Sequence, residues 1–162
     1  MILPIRSTGE QQTQLLAQQM APLMRAGDVV RLEGTLGMGK TAFARALIRS
    51  FMGADEPVPS PTFALVQDYQ APDFPIYHFD LYRLEHPDEL FELGFEDALS
   101  GGLCLIEWSE KGAPHVPETG LTIMFVPQPG DHEDVRLICM SAGPDWADRA
   151  PALVHLAEEM QL

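Results

Sequence analysis

Positive charge is what this 162-residue chain has least of: ten lysines and arginines stand against 24 aspartates and glutamates, for a formal net charge of -14. A nucleic-acid backbone is held by many cations that release counterions, so this balance excludes a surface that grips tRNA or DNA by general electrostatics. Only two lysines occur, Lys40 and Lys111. Cysteine is equally sparse. Cys104 and Cys139 both lie in apolar runs and read as two reduced core thiols, not as a disulfide or a metal pair. No window approaches 18 consecutive apolar residues, which excludes a membrane-spanning helix, and MILPIRSTGEQQ lacks the basic start and apolar core of an export leader. With 46% apolar residues and no repeat, low-complexity tract or long linker, the expectation is one cytoplasmic domain over residues 1–162.

What is present is a series of short periodic segments punctuated by glycine and proline. Ser7 to Glu10 has capping-box spacing, and Leu15, Leu16, Met20, Leu23 and Met24 then share a helical face up to Gly27. DVVRLE (28–33) reads as a buried strand, and TAFARALIRSFM (41–52) as a helix closed by Gly53 in a left-handed cap. The three prolines of PVPSPTF (57–63) predict an ordered, extended loop. FALVQDY (63–69) and IYHFDLY (76–82) read as strands, and HPDELFELGFEDAL (86–99) as a helix. GLCLIEW (102–108) has the continuous apolar run of a parallel strand buried on both faces. LTIMFV (121–126) and VRLICMS (135–141) follow as strands joined by a Pro129-Gly130-Asp131 turn, and DWADRAPALVHLAEEM (145–160) as a helix begun or interrupted at Pro151. The order predicts an α/β, P-loop NTPase-like layered fold, with a mixed parallel and antiparallel central sheet flanked by helices.

The chemistry concentrates in EGTLGMGKT (33–41). Gly34-x-x-x-x-Gly39-Lys40-Thr41 is the P-loop pattern, and it lies between a predicted strand and a predicted helix, where such a loop must lie. The backbone N–H groups of Thr35, Leu36, Gly37, Met38 and Gly39 can converge on ATP phosphates as an anion nest at the positive end of the helix. Lys40 would neutralise the β- and γ-phosphates, and the Thr41 hydroxyl would take one position on Mg²⁺. These groups act within a few ångströms, so the distant acidic residues, screened beyond roughly 8 Å, do not oppose them. Two acids close apolar strands, Asp80 and Glu107. One can hold the metal while the other orients an attacking water, and position alone leaves the two roles open. A hydroxyl in Ser60-Pro61-Thr62-Phe63 can report on the γ-phosphate as a switch loop does, although the same residues also make an ordinary turn. His78 reads as a sheet histidine held by its neighbours and Trp108 as core or pocket wall. Arg83 stays open between stabilising transferred charge and ending a strand in water.

GTLGMGKT, SPTFALVQDY, YHFDLYRL and LIEWSEKG, in this order and spacing, resemble the TsaE family of bacterial P-loop ATPases required for threonylcarbamoyladenosine formation in tRNA. The likeness runs from about Glu10 to about Arg136. It implies Mg-ATP bound in the loop, with the metal on Thr41 and Glu107, Asp80 serving hydrolysis and Thr62 in a switch loop. Glu10 and Arg136 are implied as nucleotide-side contacts. It also implies work alongside the protein pair, of TsaB and TsaD type, that makes the modified nucleoside, with carbamoyl transfer left to that pair. Thr35 and Met38 stand where the family pattern GDLGAGKT carries Asp and Ala. Both are variable positions, so the nest is retained. Three activities follow from the residues: an ATPase subunit, a small P-loop kinase, or a nucleotide-binding module without turnover. No Asn-Lys-x-Asp tetrapeptide occurs, which disfavours a guanine-specific site.

Overall fold

The computed structural model describes residues 1–130 and 132–161. In chain order its elements are β1 (Ile2–Ser7), α1 (Glu10–Met20), β2 (Val29–Glu33), α2 (Lys40–Met52), β3 (Val66–Gln70), β4 (Pro75–Asp80), α3 (Glu89–Glu92), α4 (Phe95–Gly101), β5 (Leu103–Glu107), β6 (Leu121–Pro127), β7 (Arg136–Ala142) and α5 (Ala150–Met160). Short 3-10 turns lie at Ala21–Leu23, Ser109–Gly112 and Pro144–Trp146.

The strands form one seven-stranded sheet in the order β1-β7-β6-β2-β5-β4-β3. β2 runs parallel to both β5 and β6, and β4 runs parallel to β5. Antiparallel pairs extend the sheet at both sides, β6–β7–β1 on one and β4–β3 on the other. This is the mixed sheet expected. Every residue of β5 is buried, as its unbroken apolar run requires of a parallel strand covered on both faces. On one face Leu103 and Leu105 belong to a core cluster that includes Leu16, Phe43, Leu47 and Leu153 from α1, α2 and α5. The opposite face packs Cys104, Ile106 and Phe79 against Leu90, Phe95 and Val116. Among the described residues no helix is long and apolar enough to cross a membrane.

Parallel pairing has one functional consequence. The carboxyl ends of β2, β4 and β5 open on the same edge, so the acids that close β4 and β5 stand side by side, with Asp80 paired to Glu107. β2 delivers the chain to that edge, into the glycine-rich loop and the start of α2.

Several local expectations are corrected. The Ser7–Glu10 capping box does not form, because Ser7 ends β1 and its hydroxyl bonds to the Gly9 carbonyl and to Thr13. Gly9 occupies the cap position without a side-chain hydrogen bond. The helix stops at Met20 instead of running to Gly27, and Leu15, 43% exposed, lies off the buried face carried by Thr13, Leu16, Ala17 and Met20. Gly53 has positive φ (108°) but an extended ψ of 153°, so the cap of α2 is not left-handed helical. The segment 86–99 is two helices, divided where Gly94 takes φ 75° and ψ 27°. The strand within FALVQDY begins only at Val66. Both cysteines are free, but Cys139 is partly exposed and only Cys104 is a core thiol. Of the turn expected between β6 and β7, Asp131 lies outside the described residues.

Candidate active site

The glycine-rich loop keeps its shape through backbone conformations that side chains resist. Gly34 has φ 137°, and a Cβ there would lie 2.6 Å from the Phe125 carbonyl oxygen on β6. Gly39 caps α2 at φ 105°. With those two turns in place, the loop's N–H groups and the first turn of the 13-residue α2 form a positive, concave end suited to an anion.

Lys40 lies at that end, almost wholly buried. Its Nζ donates to the Gly34 carbonyl at 2.6 Å and sits 3.7 Å from the centroid of the Trp108 ring. Burial lowers the Lys40 pKa from its ordinary value of 10.5, and the Glu107, Glu110 and Asp80 carboxylates oppose that shift by favouring the ammonium. Trp108 reaches this place through a left-handed backbone (φ 57°), a conformation costly for a bulky residue and concentrated at functional sites. The Trp108 ring also packs against Tyr82, with ring centroids 4.9 Å apart.

The two acids are anchored separately. The Thr41 hydroxyl donates to Glu107 Oε1 at 2.8 Å, and His78 Nε2 pairs with Glu107 Oε2 at 2.6 Å. Asp80 accepts from the Thr62 hydroxyl at 2.9 Å on Oδ2 and from the Tyr82 N–H at 3.1 Å on Oδ1. Ser60 bonds to Thr62 at 2.7 Å. The proline-rich loop is therefore tied to the strand-end acid beside the glycine-rich loop. Among the described residues no group of three or more His, Cys, Asp or Glu could hold a metal by itself. The Thr41 hydroxyl and Glu107 carboxylate are hard oxygen donors already in contact, the kind of oxygen pair that suits a hard cation such as Mg²⁺.

A cavity of about 590 Å³ opens over these groups, a size suited to a nucleotide. It brings together the expected residues Glu10, Leu36, Gly37, Met38, Gly39, Lys40, Thr41, Thr62, Asp80, Glu107 and Arg136. Thr35 faces a separate groove beside Trp108 and Met124, so only its backbone adjoins the nest. Ser60 reaches the cavity only through Thr62. Arg136 lines the wall from β7 while its Nη1 donates to the Val135 carbonyl at 3.1 Å and to the Glu133 carbonyl. Among the lining residues not selected from the sequence are Gly9, Thr13 and Asp134. Nothing in their local patterns signals this role, because they arrive from α1 and from the β6–β7 connection. Arg83 also lines the cavity, with its guanidinium 4.3 Å from the Phe63 ring.

Comparison with known proteins gives a consistent picture. The family model described as threonylcarbamoyl adenosine biosynthesis protein TsaE matches residues 7–135. A Rickettsia conorii protein named tRNA threonylcarbamoyladenosine biosynthesis protein TsaE is 52% identical over 101 residues, covering 62% of this chain and 58% of that relative. The chain thus spans under two thirds of the length of the Rickettsia relative. A Bacillus subtilis protein of the same name is 36% identical over 129 residues, 79% of each chain. The crystal structure of Bacillus subtilis YdiB superposes with a TM-score of 0.71 at 29% identity, covering 99% of this chain and 94% of that one.

Proposed function

This chain belongs to the TsaE family, and on that premise we propose that it binds and hydrolyses Mg-ATP in support of tRNA threonylcarbamoyladenosine formation. The observation that carries this reading is the 2.8 Å bond joining Thr41, first-turn residue of the phosphate-loop helix, to the strand-end acid Glu107. It couples a phosphate nest to an oxygen-donor pair, which a loop that merely turns the chain has no need of.

In this reading the loop N–H groups and Lys40 hold the β- and γ-phosphates. Thr41 and Glu107 would hold Mg²⁺, which would supply Lewis-acid stabilisation of charge on the phosphate oxygens. Asp80 orients a water toward the γ-phosphorus, so that the water oxygen forms the new P–O bond while ADP leaves with the bridging oxygen. Thr62, bonded to Asp80, makes the 60–63 loop responsive to what occupies the cavity. Glu10 and Arg136, which also line the cavity, serve as nucleotide-side contacts. The acidic surface favours docking on the protein pair of TsaB and TsaD type over a direct grip on tRNA.

Product analysis tests this. The purified protein is incubated with Mg-ATP alone, with the partner pair added, and with nucleoside monophosphates instead. Slow release of ADP and phosphate that rises with the partners is the expected result. Phosphate transfer to the added monophosphate without free phosphate would make the protein a kinase.

A further inference from the structure

We propose that His78 is a positioning residue for Glu107, holding that carboxylate in the orientation in which its second oxygen faces Thr41. The inference rests on the Mg-ATP reading above and concerns how this chain prepares its own metal-facing acid.

His78 is fully buried, and Glu107 is only 2% exposed. On β4, His78 pairs with Leu105, and Glu107 lies two residues further along β5, so the two side chains meet as diagonal neighbours on one sheet face. Their contact is short, 2.6 Å from Nε2 to Oε2. An ionised carboxylate only accepts, which places the imidazole proton on Nε2. Among the described residues the other ring nitrogen, buried Nδ1, has no partner. Among those residues the ring therefore makes a single polar bond, and that bond goes to Glu107. A position serving the core alone would be cheaper as leucine or phenylalanine, because an unpaired buried polar atom costs stability. The offsetting gain is control of the acid. With Oε2 held by His78 and Oε1 by Thr41, the Glu107 carboxylate has no free rotation left. Asp80, its neighbour in register, has a different set of anchors in Thr62 and Tyr82. The two acids are thus positioned independently, Glu107 from the core and Asp80 from the loop.

The decisive measurement is binding of a fluorescent ATP analogue, with Mg²⁺ titrated from zero and an EDTA arm at each protein concentration. His78→Met removes the donor at similar bulk, whereas His78→Gln returns an N–H to the Nε2 position. Outer partners of metal ligands typically change metal affinity by about 10–100-fold. His78→Met is expected to shift the Mg²⁺ midpoint by that amount and leave the EDTA affinity unchanged, and His78→Gln to restore the midpoint to within about threefold. An equal loss of affinity with and without Mg²⁺ would mark a structural role and overturn the proposal. So would an unmoved midpoint in His78→Met alongside a shifted one in Glu107→Gln. If Glu107→Gln itself leaves the midpoint unmoved, the magnesium reading fails and the inference falls with it. Should His78→Met not fold, nitrogen NMR of the wild-type imidazole decides instead. A protonated Nε2 whose signal moves on adding Mg²⁺ to the nucleotide complex supports the proposal, whereas a proton on Nδ1, or a signal unmoved by Mg²⁺, overturns it.

Discussion

Arg149 grips Asp28 with two parallel hydrogen bonds, Nη1 to Oδ2 at 2.6 Å and Nη2 to Oδ1 at 2.8 Å, and both side chains are buried. The guanidinium also donates to the Leu23 carbonyl and lies 3.8 Å from the Trp146 ring centroid. Arg149 immediately precedes α5, and Asp28 immediately precedes β2, which leads into the glycine-rich loop. The C-terminal block beyond residue 144, outside the matched family segment, is thereby fastened beneath the strand that carries the site. Removing one partner of a buried pair leaves an uncompensated charge, so Arg149→Met should lower stability by about 3–5 kcal/mol. Urea unfolding checks this, and the double substitution Asp28→Leu with Arg149→Met should recover a large part of the loss.

The buried thiol of Cys104 supplies a pH dependence. Burial raises its pKa from 9.0 to about 12. In the unfolded chain the thiol ionises first, so above pH 9 the unfolded state binds fewer protons than the native state. This group's contribution to stability is fully present below pH 9 and falls by about 1.4 kcal/mol per unit as pH rises toward 12. Cys104→Ala should remove that slope. Guanidinium unfolding of both proteins between pH 8.5 and 11 should show wild-type stability declining more steeply, with the gap between the two curves changing by roughly that amount per unit.

The tie between Asp80 and Thr62 makes a prediction about motion. Phe63, next in the loop, is 82% exposed and is steadied within the chain by Arg83. Two backbone bonds also hold this segment, Leu65 N–H to the Pro61 carbonyl and Asp80 N–H to the Leu65 carbonyl. A hydrogen bond to a charged group contributes roughly 1.5–3 kcal/mol, so Asp80→Ala should raise amide exchange at residues 62–65 by about 10–100-fold. Thr62→Ala should do the same, and exchange in β5 should stay unchanged in both. Equal exchange in wild type and variants would mean that the backbone bonds alone hold the loop.

Features carried by one contiguous segment were legible in the sequence, and those made by pairing distant segments were not. The glycine-rich loop needs only its own glycines, so its position between β2 and α2 could be read directly. Glu107 could be read because a fully apolar run such as Leu103–Ile106 announces a central parallel strand, whose end must face the crevice. β1 escaped notice because it is an edge strand with Pro4 in it and exposed residues alternating along it, and its partner β7 lies far along the chain. With that strand unseen, Ser7 looked like a helix cap. The His78–Glu107 bond depends on the β4–β5 register, which no local pattern encodes. Thr35 belongs to the loop motif, yet the turn at Gly34 directs its side chain to the other side, toward the groove at Trp108 and Met124.

That turn can be tested against its neighbour within the same loop. Gly34 and Gly37 both have positive φ, 137° and 78°, so alanine at either position meets backbone resistance. They differ in space. An added Cβ at Gly37 has no neighbour within 4 Å, whereas at Gly34 it meets the Phe125 carbonyl oxygen at 2.6 Å, an atom fixed in the β6 backbone. Gly37→Ala should therefore cost only the left-handed penalty of about 1–2 kcal/mol and retain measurable nucleotide affinity. Gly34→Ala must also push the loop off β6, which displaces the N–H groups of the nest. It should cost more than Gly37→Ala in thermal unfolding and lose nucleotide binding by calorimetry. If the two variants bound nucleotide equally well, the contact between Gly34 and Phe125 would not be what shapes the phosphate loop.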